Sequence, residues 1–372
     1  KMMGLSSYGN SSLENKIEKI FKNIDKVELN LSFFNHVKKD FKYKFEGVPN
    51  QNFIFSKKIY DLLGLDEKNI ENQENKANIA FAVQKTYEKV FLNICKEIGN
   101  NNFSKNLVLS GGCALNSLAN KKLYDSNIFQ NIHIPYAPGD AGGALGSALY
   151  TSNIIFKKRV NNLKSPYIGP KYSNNYIKNI LEENNKFKIT YDEDKNKLLE
   201  KLAKRIFDNA VVGLFNGKME FGARALGNRS IIANPCNPNM KEILNSKIKR
   251  RESFRPFAPA ILEDRKTEWF NNSRSNLYMS SVELINADKR KLIPAVVHID
   301  GTGRIQTINR DINPEFYTLV SYFDKLSNVP ILLNTSFNEN EPIVMKPEHA
   351  LNCFKRTDMD CLLMENYLIE RI

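Results

Sequence analysis

The sequence predicts an α/β protein with additional α+β elements, and three observations lead to that class. An apolar run at residues 107–110 ends in Gly111 and Gly112 and precedes a helical pattern, which is the strand–turn–helix order of α/β folds. The same order recurs over residues 132–150. The chain also has 372 residues with 42% hydrophobic composition, which is enough for two or three domains with separate cores.

The individual elements follow from apolar spacing and from turn residues. Apolar side chains recur at helical spacing over residues 75–98, and Gly99 is predicted to end that helix. A turn-rich patch is predicted at residues 47–50. Further helices are predicted near residues 114–124, 141–150, 195–209, 238–249 and 348–356, and strands at residues 107–110, 132–135, 210–215, 331–333 and 361–364. Residues 157–178 contain Pro166, Gly169 and Pro170 with little periodicity and are predicted to link two domains.

Composition narrows the class of protein. The net charge of +13 suits a nucleic acid, an anionic membrane surface or anionic small substrates as partners. A bias toward Lys, Asn and Ile accounts for part of that charge, and no block of five or six like charges occurs, so charge alone does not argue for nucleic acid. No apolar run reaches the ~18 residues of a membrane span. Five cysteines without a C-x-x-C pair favour a reduced, cytoplasmic protein over a disulfide scaffold.

Two Gly-punctuated basic segments, residues 217–235 and 247–259, are the most informative part of the chain. They place five cations beside turns: Lys218, Arg224, Arg229, Arg251 and Arg255. The guanidinium fork recognises two phosphoryl oxygens at once, and glycine allows backbone N–H groups to approach an anion closely. These segments therefore predict an anion site, with a solvated basic patch as the alternative.

Two other polar segments follow predicted strands. Gly111 and Gly112 open a helix that carries Asn116, and such a turn suits phosphate or ribose oxygens, although a tight packing turn has the same residues. Asn334, Thr335 and Ser336 are predicted to form a loop after the strand at residues 331–333. Their side chains suit a phosphate, a carbonyl or a ribose, and the alternative is an ordinary turn.

Asp140 is predicted as the N-cap of the helix over residues 141–150. The alternative role is that of a ligand for a hard cation or a transition metal, for which the four scattered histidines supply no obvious partner pair. Residues 300–304 are predicted to form a hairpin tip with an exposed Arg304. The sequence contains no recognisable Ser-His-Asp arrangement and no phosphate-loop motif. Catalysis through a covalent intermediate is therefore not the first mechanism that the sequence predicts.

Several long segments resemble the NodU/CmcH-type O-carbamoyltransferases. Four resemble the C-terminal domain of that family: G-K-M-E-F-G-A-R-A-L-G-N-R-S from Gly217, R-E-S-F-R-P-F-A-P from Arg251, H-I-D-G-T-G-R-I-Q from His298 and N-T-S-F-N-E-N-E-P-I-V from Asn334. Three resemble the later half of its N-terminal domain: K-M-M-G-L-S-S-Y-G from Lys1, L-S-G-G-C-A-L-N from Leu109 and P-G-D-A-G-G-A-L-G from Pro138. They occur in the family's order along nearly the whole chain.

The resemblance implies two modules. Residues 1–156 would be the C-terminal half of an actin/sugar-kinase-like domain related to the TsaD-type transferases, residues 157–178 the linker, and residues 179–372 a YrdC-like α/β domain. In such enzymes the YrdC-like part makes carbamoyl adenylate from carbamoyl phosphate and ATP. The kinase-like part then passes the carbamoyl group to a hydroxyl of a small molecule or a sugar, aided by a divalent metal such as Fe or Mg. Transfer from a mixed anhydride needs electrostatic stabilisation more than an enzyme nucleophile.

The resemblance also assigns residues. The five cations named above would line the carbamoyl phosphate and ATP site, and Asn334, Thr335 and Ser336 would complete it in the place of the polar loop of YrdC proteins. Gly111, Gly112 and Asn116 would hold the adenylate, and Asp140 would be a metal ligand. Individual roles within the group of cations stay open.

Departures from the family leave alternatives open. Ala223 stands where the family usually has Pro, and the family's H-x-x-x-H pair and first phosphate-binding hairpin would lie upstream of Lys1. The sequence therefore predicts that this chain alone forms carbamoyl adenylate poorly or not at all and does not transfer the carbamoyl group. A homodimer or a partner chain that carries the missing half is left open. A tRNA threonylcarbamoyladenosine-pathway enzyme and a non-catalytic subunit are the competing hypotheses. A nucleotide-binding sugar kinase is disfavoured because it has no use for the basic segments. The acceptor and the metal are not legible.

Overall fold

A computed structural model describes residues 2–37, 54–160, 163–182, 186–271 and 274–371. The chain divides into two compact units, one formed by Lys1–Asn106 with Lys122–Asn131, and the other by Leu107–Lys121 with Ile132–Ile372. The turn predicted at residues 47–50 lies outside the described residues. The domain boundaries implied by the family resemblance stay a prediction.

The first unit is mostly helical. Its elements are α1 (Met2–Ser6), α2 (Glu14–Glu18), β1 (Phe21–Asn23), β2 (Glu28–Leu29), α3 (Lys58–Leu63) and α4 (Gln73–Asn100). The long α4 confirms the helix predicted over residues 75–98, and it begins where the Asn72 side chain accepts a hydrogen bond from the N–H of Glu74. Helices α1 and α2 pack on α4, and Leu13, Ile17, Leu63 and Ala82 are buried among them.

The predicted strand–turn–helix order is confirmed in the next stretch of chain. It forms β3 (Asn106–Val108), α5 (Ser117–Asp125), β4 (Asn131–His133) and α6 (Gly142–Tyr150). Strands β3 and β4 pair with each other. A 3₁₀ turn at Gly112–Leu115 separates β3 from α5, so α5 begins three residues later than predicted.

The rest of the second unit contains the eight strands of one large sheet, a small hairpin and five helices among its described residues. The elements are α7 (Asn174–Glu182), β5 (Phe187–Tyr191), α8 (Lys195–Phe207), β6 (Val212–Phe215), β7 (Arg229–Ala233), α9 (Met240–Ile243), β8 (Ala258–Leu262), β9 (Glu283–Leu284), β10 (Thr302–Gly303), β11 (Gln306–Ile308), α10 (Pro314–Ser327), β12 (Ile331–Ser336), α11 (Pro347–Arg356), β13 (Cys361–Met364) and β14 (Tyr367–Arg371). The large sheet has the strand order β11-β8-β12-β7-β6-β13-β14-β5.

The large sheet is mixed. Strand β11 runs parallel to β8 and β13 runs parallel to β6, whereas the other neighbouring pairs are antiparallel. Strands β6, β7, β8 and β13 are buried along their whole length, because helices cover the sheet and α8 packs on α10 over it. The predicted α/β class with α+β elements is therefore confirmed.

Two predicted elements need correction. Strand β12 continues through Asn334, Thr335 and Ser336, which the sequence had placed in a loop after the strand. Asn334 pairs with Ile232 on one side and with Ala258 on the other, so two neighbouring strands hold it in register. The helical spacer predicted at residues 238–249 is the short α9 followed by a π-helical turn at Leu244–Ile248.

The helices that the structure describes include none that is both long enough and apolar enough to cross a lipid bilayer.

Candidate anion-binding site

The residues predicted to bind an anion belong to the second unit, and the first of them lie on a turn that depends on glycine. This basic turn, residues 217–229, has positive φ angles at Gly222 (124°) and Gly227 (117°). A Cβ atom at Gly227 would overlap the Phe316 ring, and one at Gly222 would overlap the Tyr136 carbonyl. Glycine is therefore required at both positions.

A buried carboxylate holds the basic turn in shape. Glu220 is 2% exposed, and its Oε1 accepts hydrogen bonds from the N–H groups of Leu226 (2.5 Å), Arg229 (3.2 Å) and Asn228 (3.3 Å). Three amide donors converging on one carboxylate oxygen fix the path of the backbone that carries Arg224.

Residues 165–172, here called the strap, support the basic turn from the side. The N–H of Phe221 donates to the Pro166 carbonyl at 2.7 Å, and the Gly169 N–H donates to the Met219 carbonyl at 2.9 Å. The buried Tyr167 hydroxyl donates to the Leu226 carbonyl at 2.9 Å. Residues that the sequence assigned to a linker therefore form ordered contacts with the turn.

Arg229 is fully buried, and its guanidinium forms hydrogen bonds with backbone carbonyls. Its guanidinium donates to the carbonyls of Asn216, Asn228, Gly217 and Pro170 at 2.8–3.2 Å and lies 3.7 Å from the centre of the Phe215 ring. Burial lowers the pKa of Arg229 to about 10. This arrangement ties the two ends of the basic turn together.

Three guanidinium groups, those of Arg224, Arg251 and Arg304, form what we call the basic cluster. Burial lowers the pKa of Arg224, and burial together with the charge of Arg255 lowers the pKa of Arg251 to about 10. The pKa of Arg304 lies well below its ordinary value because of burial and then of the charges of Arg224 and Arg251. Like charges gathered in a desolvated place are unfavourable unless an anion joins them.

Few protein groups compensate the basic cluster. Within the described ranges, none of its three arginines forms an ion pair with a carboxylate. Arg251 donates from Nε to the Asn245 side-chain oxygen at 2.8 Å and lies over the Phe257 ring at 4.8 Å. The Nε atoms of Arg224 and Arg304 are buried without a hydrogen-bond partner among the residues described. Guanidinium groups in such a setting suit the acceptor oxygens of an anion.

Lys249 lies beside the basic cluster and was not singled out from the sequence. It is 1% exposed, and its Nζ donates to the carbonyls of Ser336 (2.5 Å) and Asn338 (2.6 Å) and to the Asn338 side-chain oxygen (2.8 Å). These oxygens favour the ammonium form, whereas burial and the charge of Arg251 lower the pKa to about 7. Lys249 thus joins the second basic segment to the end of β12.

The three residues predicted at residues 334–336 have different surroundings. Asn334 is buried, and its Nδ2 donates to Gln306 Oε1 at 2.7 Å and to the Ala225 carbonyl at 3.3 Å. Ser336 Oγ donates to the Asn338 side-chain oxygen at 2.7 Å, and Thr335 is partly buried in the same strand. Asn334 and Ser336 lie two residues apart in β12 and so face the same side of the sheet.

His298 and Arg304 were also missed, because residues 300–304 were predicted to be a hairpin tip with an exposed arginine. Arg304 is instead partly buried, and Thr302–Gly303 forms a strand. Burial lowers the pKa of His298 to about 4, and Arg304 adds to that effect while Asp300 opposes it. The Nε2 atom of His298 is a further buried atom with no partner in the part of the chain that is described.

The remaining predicted cations lie nearer the solvent. Lys218 has an exposed side chain, and its carbonyl accepts a hydrogen bond from the Asn228 amide at 2.7 Å. Arg255 pairs through Nε with Glu252 at 3.0 Å, and the two side chains are 29% and 38% exposed. Their assignment to the anion site stays a prediction.

The Gly-Gly turn lies next to the basic turn. Gly111 has a φ of 97°, and a Cβ added at Gly111 or Gly112 would meet no atom within 4 Å, so the backbone there faces open space. Asn116 accepts a hydrogen bond from the N–H of Ala119 at 3.2 Å. Arg224 donates from Nη2 to the Leu115 carbonyl at 3.4 Å, which places the basic cluster beside the segment that holds these glycines.

Asp140 does not cap α6 as predicted. The N-cap is Ala141, and the backbone carbonyl of Asp140 accepts from the Gly143 N–H at 3.0 Å while its side chain is exposed. Among the residues that the structure describes, no group of three His, Cys, Asp or Glu side chains could hold a metal ion. One exposed carboxylate is a small part of the ligand set that Mg²⁺ or Fe needs.

The architecture and the site define a class of protein, one with a mixed α/β sheet and a partly buried arginine cluster of the kind that suits phosphoryl groups. The sequence profile described as carbamoyltransferase C-terminus matches residues 203–371, and the profile described as carbamoyltransferase N-terminus matches residues 1–149. The chain therefore belongs to the carbamoyltransferase family of enzymes.

The chain is also similar in sequence to several individual proteins. Nodulation protein NolNO of Sinorhizobium fredii is 38% identical over 79% of this chain and 44% of its own length. The uncharacterized proteins sll1178 of Synechocystis and MJ1051 of Methanocaldococcus jannaschii are each 35% identical over the whole chain, and over 63% and 68% of their own lengths. The chain thus spans roughly half to two thirds of these relatives.

Two solved structures are similar to part of the chain. Full-length HypF in its phosphate- and nucleotide-bound form aligns with 48% of this chain and 22% of its own at 18% identity and a TM-score of 0.34. A variant of Sua5 from P. abyssi aligns with 48% of this chain and 49% of its own at 12% identity and a TM-score of 0.32. Scores at this level carry no argument about function.

Proposed function

We propose that this chain carries the carbamoyl phosphate and ATP site of an O-carbamoyltransferase. The observation that carries the proposal is the basic cluster, in which Arg224, Arg251 and Arg304 are partly buried and form no ion pair with a carboxylate among the described residues. Membership of the carbamoyltransferase family supports carbamoyl as the transferred group.

The proposed half-reaction produces carbamoyl adenylate. Atom balance requires that water take the phosphoryl group of carbamoyl phosphate, which releases inorganic phosphate and leaves carbamate. A carbamate oxygen then forms a bond to the α-phosphorus of ATP as the bond to pyrophosphate breaks. Both steps move negative charge between phosphoryl oxygens, and fixed guanidinium groups in a desolvated site stabilise that charge. The second half-reaction would place the carbamoyl group on a hydroxyl of a small molecule or a saccharide.

Roles within the site follow from the contacts. Arg224, Arg251 and Arg304 would bind phosphoryl oxygens, with Lys249 beside them. Arg229 and Glu220 would act by positioning, since the Nη atoms of Arg229 and the Oε1 atom of Glu220 form hydrogen bonds with backbone groups in or next to the basic turn. Gly111, Gly112 and Asn116 would hold the adenylate, a role favoured by the open space at both glycines. Lys218, Arg255, Thr335 and Ser336 would complete the anion site at its margin.

We also propose the finer architecture that the family resemblance implies. Residues 179–372, which contain the eight-stranded sheet, would correspond to the YrdC-like module, residues 157–178 to the linker and residues 1–156 to part of an actin/sugar-kinase-like module. A divalent metal would bind at Asp140 only with ligands beyond the described set, so no step is assigned to it. Action in the cytoplasm and a homodimer or partner chain belong to the same proposal.

The proposal is tested by exchange of labelled pyrophosphate into ATP, measured with and without carbamoyl phosphate. The assay compares this chain with a longer form that includes the family's N-terminal segment, and each with its Arg251→Ala variant. Exchange that depends on carbamoyl phosphate and is lost in the variant is the expected result. Absence of exchange in both forms would overturn the proposal, and tight, salt-dependent tRNA binding would favour the tRNA-modifying alternative.

A further inference from the structure

The orientation of the Asn334 side-chain amide is fixed by its neighbours. The Leu226 carbonyl can only accept, so the Gln306 atom at 2.7 Å from it must be Nε2. The Gln306 oxygen therefore faces Asn334, whose Nδ2 donates to it at 2.7 Å. The Ala225 carbonyl, at 3.3 Å, is a second acceptor for the same Nδ2 atom. A flipped Asn334 would bring its oxygen against two acceptors, which excludes that orientation.

In this orientation the Oδ1 atom of Asn334 is a hydrogen-bond acceptor that has no donor among the described residues. Asn334 is 1% exposed, and within the described ranges its Oδ1 atom is buried with no hydrogen-bond partner. The side chain cannot turn to relieve this, because both of its Nδ2 contacts would be lost. A buried carbonyl oxygen of this kind favours any ligand that brings an N–H or O–H group to it.

The two residues that contact Asn334 are chain neighbours of arginines from the basic cluster. Its Ala225 contact is the residue after Arg224, and its Gln306 contact lies two residues beyond Arg304. The buried Nε atoms of those two arginines are donors that lack partners among the described residues. A ligand that offers only acceptor oxygens would satisfy the arginines and leave Asn334 unsatisfied. A ligand with acceptor oxygens at one end and an N–H group at the other would satisfy both.

We propose that Asn334 Oδ1 accepts an N–H from the amide of carbamoyl phosphate and thereby selects a carbamoyl group over an acyl group of the same shape. This inference rests on the proposed function. Carbamoyl phosphate and acetyl phosphate share the phosphoryl group and the carbonyl, and they differ in an NH₂ against a methyl group. A methyl group would keep the Asn334 oxygen buried and unpaired, so discrimination would come from one hydrogen bond.

The experiment is calorimetric titration of the chain with carbamoyl phosphate, acetyl phosphate and inorganic phosphate. The chain is expected to bind carbamoyl phosphate at least about 5-fold more tightly than acetyl phosphate. In Asn334→Ala, affinity for carbamoyl phosphate should fall at least about 5-fold, with affinities for the other two ligands retained. The matched control is Asn234→Ala, which removes an asparagine that is 6% exposed and partnered at both ends of its amide.

The outcomes separate this inference from the proposed function. If the chain binds none of the three ligands, both are overturned. If carbamoyl phosphate binds but is not preferred over acetyl phosphate, or if Asn334→Ala weakens all three ligands equally, only the role of Asn334 is overturned. If Asn334→Ala does not fold, Gln306→Met is the second variant. It removes the acceptor that orients the Asn334 amide and should reduce the preference for carbamoyl phosphate over acetyl phosphate at least about 3-fold. An unchanged preference in that variant overturns the inference.

Discussion

Arg224 donates a hydrogen bond from Nη2 to the carbonyl of Leu115 at 3.4 Å, although the two residues are 109 positions apart in the chain. The contact places the Gly-Gly turn beside the basic cluster within one compact unit. Segments that the family resemblance assigns to different modules thus meet in space. Because this contact joins the predicted adenylate site to the predicted phosphate site, the first prediction concerns the glycines.

Gly112→Val should weaken nucleotide binding and leave stability unchanged. A Cβ atom added at this exposed position would meet no atom within 4 Å, so the free energy of unfolding should change by less than about 0.5 kcal/mol. The same side chain would occupy space needed by a bound nucleotide, and the affinity for ATP should fall at least about 5-fold. The control is Gly143→Val, since Gly143 also faces open space. Unchanged ATP affinity in Gly112→Val would remove the Gly-Gly turn from the site.

Arg304→Gln should separate binding from stability. Its guanidinium stands among the like charges of Arg224 and Arg251, so its removal should leave the free energy of unfolding the same or higher. Loss of a charged donor should weaken binding of carbamoyl phosphate by about 10-fold or more. Titration calorimetry and urea unfolding measure the two effects. Arg310→Gln is the control, because that arginine is exposed and lies over the Tyr317 ring. Equal effects of the two variants on binding would exclude Arg304 from the anion site.

Arg229→Gln should act mainly on stability. The substitution leaves several of four backbone carbonyls without a donor, and each unsatisfied group costs about 1–3 kcal/mol. The free energy of unfolding in urea should therefore fall by about 3 kcal/mol or more. A decrease below about 1 kcal/mol would mean that the carbonyls find other partners. In that case Arg229 would be open to contact the ligand directly.

Lys249 should make stability depend on pH above neutrality. Its pKa is lowered to about 7 in the folded protein, from 10.5, so between these values the unfolded chain binds more protons than the folded chain. The free energy of unfolding should therefore rise with pH from about 7 upward, and the rise should be smaller in Lys249→Met. Urea unfolding of both proteins between pH 7 and about pH 8.5 tests this, and the difference between the two pH profiles removes the contribution of the cysteines, which begin to titrate in that range. Parallel pH profiles would show that Lys249 stays protonated when folded.

Much of the fold could be predicted from local patterns of apolar and turn residues in the sequence. Helix α4 and strand β13 lie where the sequence places them, because apolar spacing and flanking turn residues determine both. Strands β7 and β8 were not predicted. In β7 the buried residues include a charged one, Arg229, and β8 begins directly after a basic segment, so neither has the alternating pattern of a half-exposed strand.

The candidate site shows the same division. Glycine and arginine residues close together in the sequence predicted that residues 217–259 bind an anion. The family resemblance assigned the same five cations in that segment to a carbamoyl phosphate and ATP site. The sequence did not reveal Arg304, Lys249 or His298 as neighbours of that site. Arg304 resembles any arginine near a hairpin, and only its approach to Arg224 and Arg251 sets it apart.

By itself, the sequence determined the α/β class, most helices, the family and the basic segments, because these depend on residue type and spacing along the chain. Only the tertiary structure decided which arginines are desolvated together, that Arg229 serves the backbone, and that the Asn334 oxygen is left without a donor. Desolvation and hydrogen-bond saturation depend on groups distant in the chain. Glu220, Gln306 and the strap show this, since each acts on a residue at least six positions away.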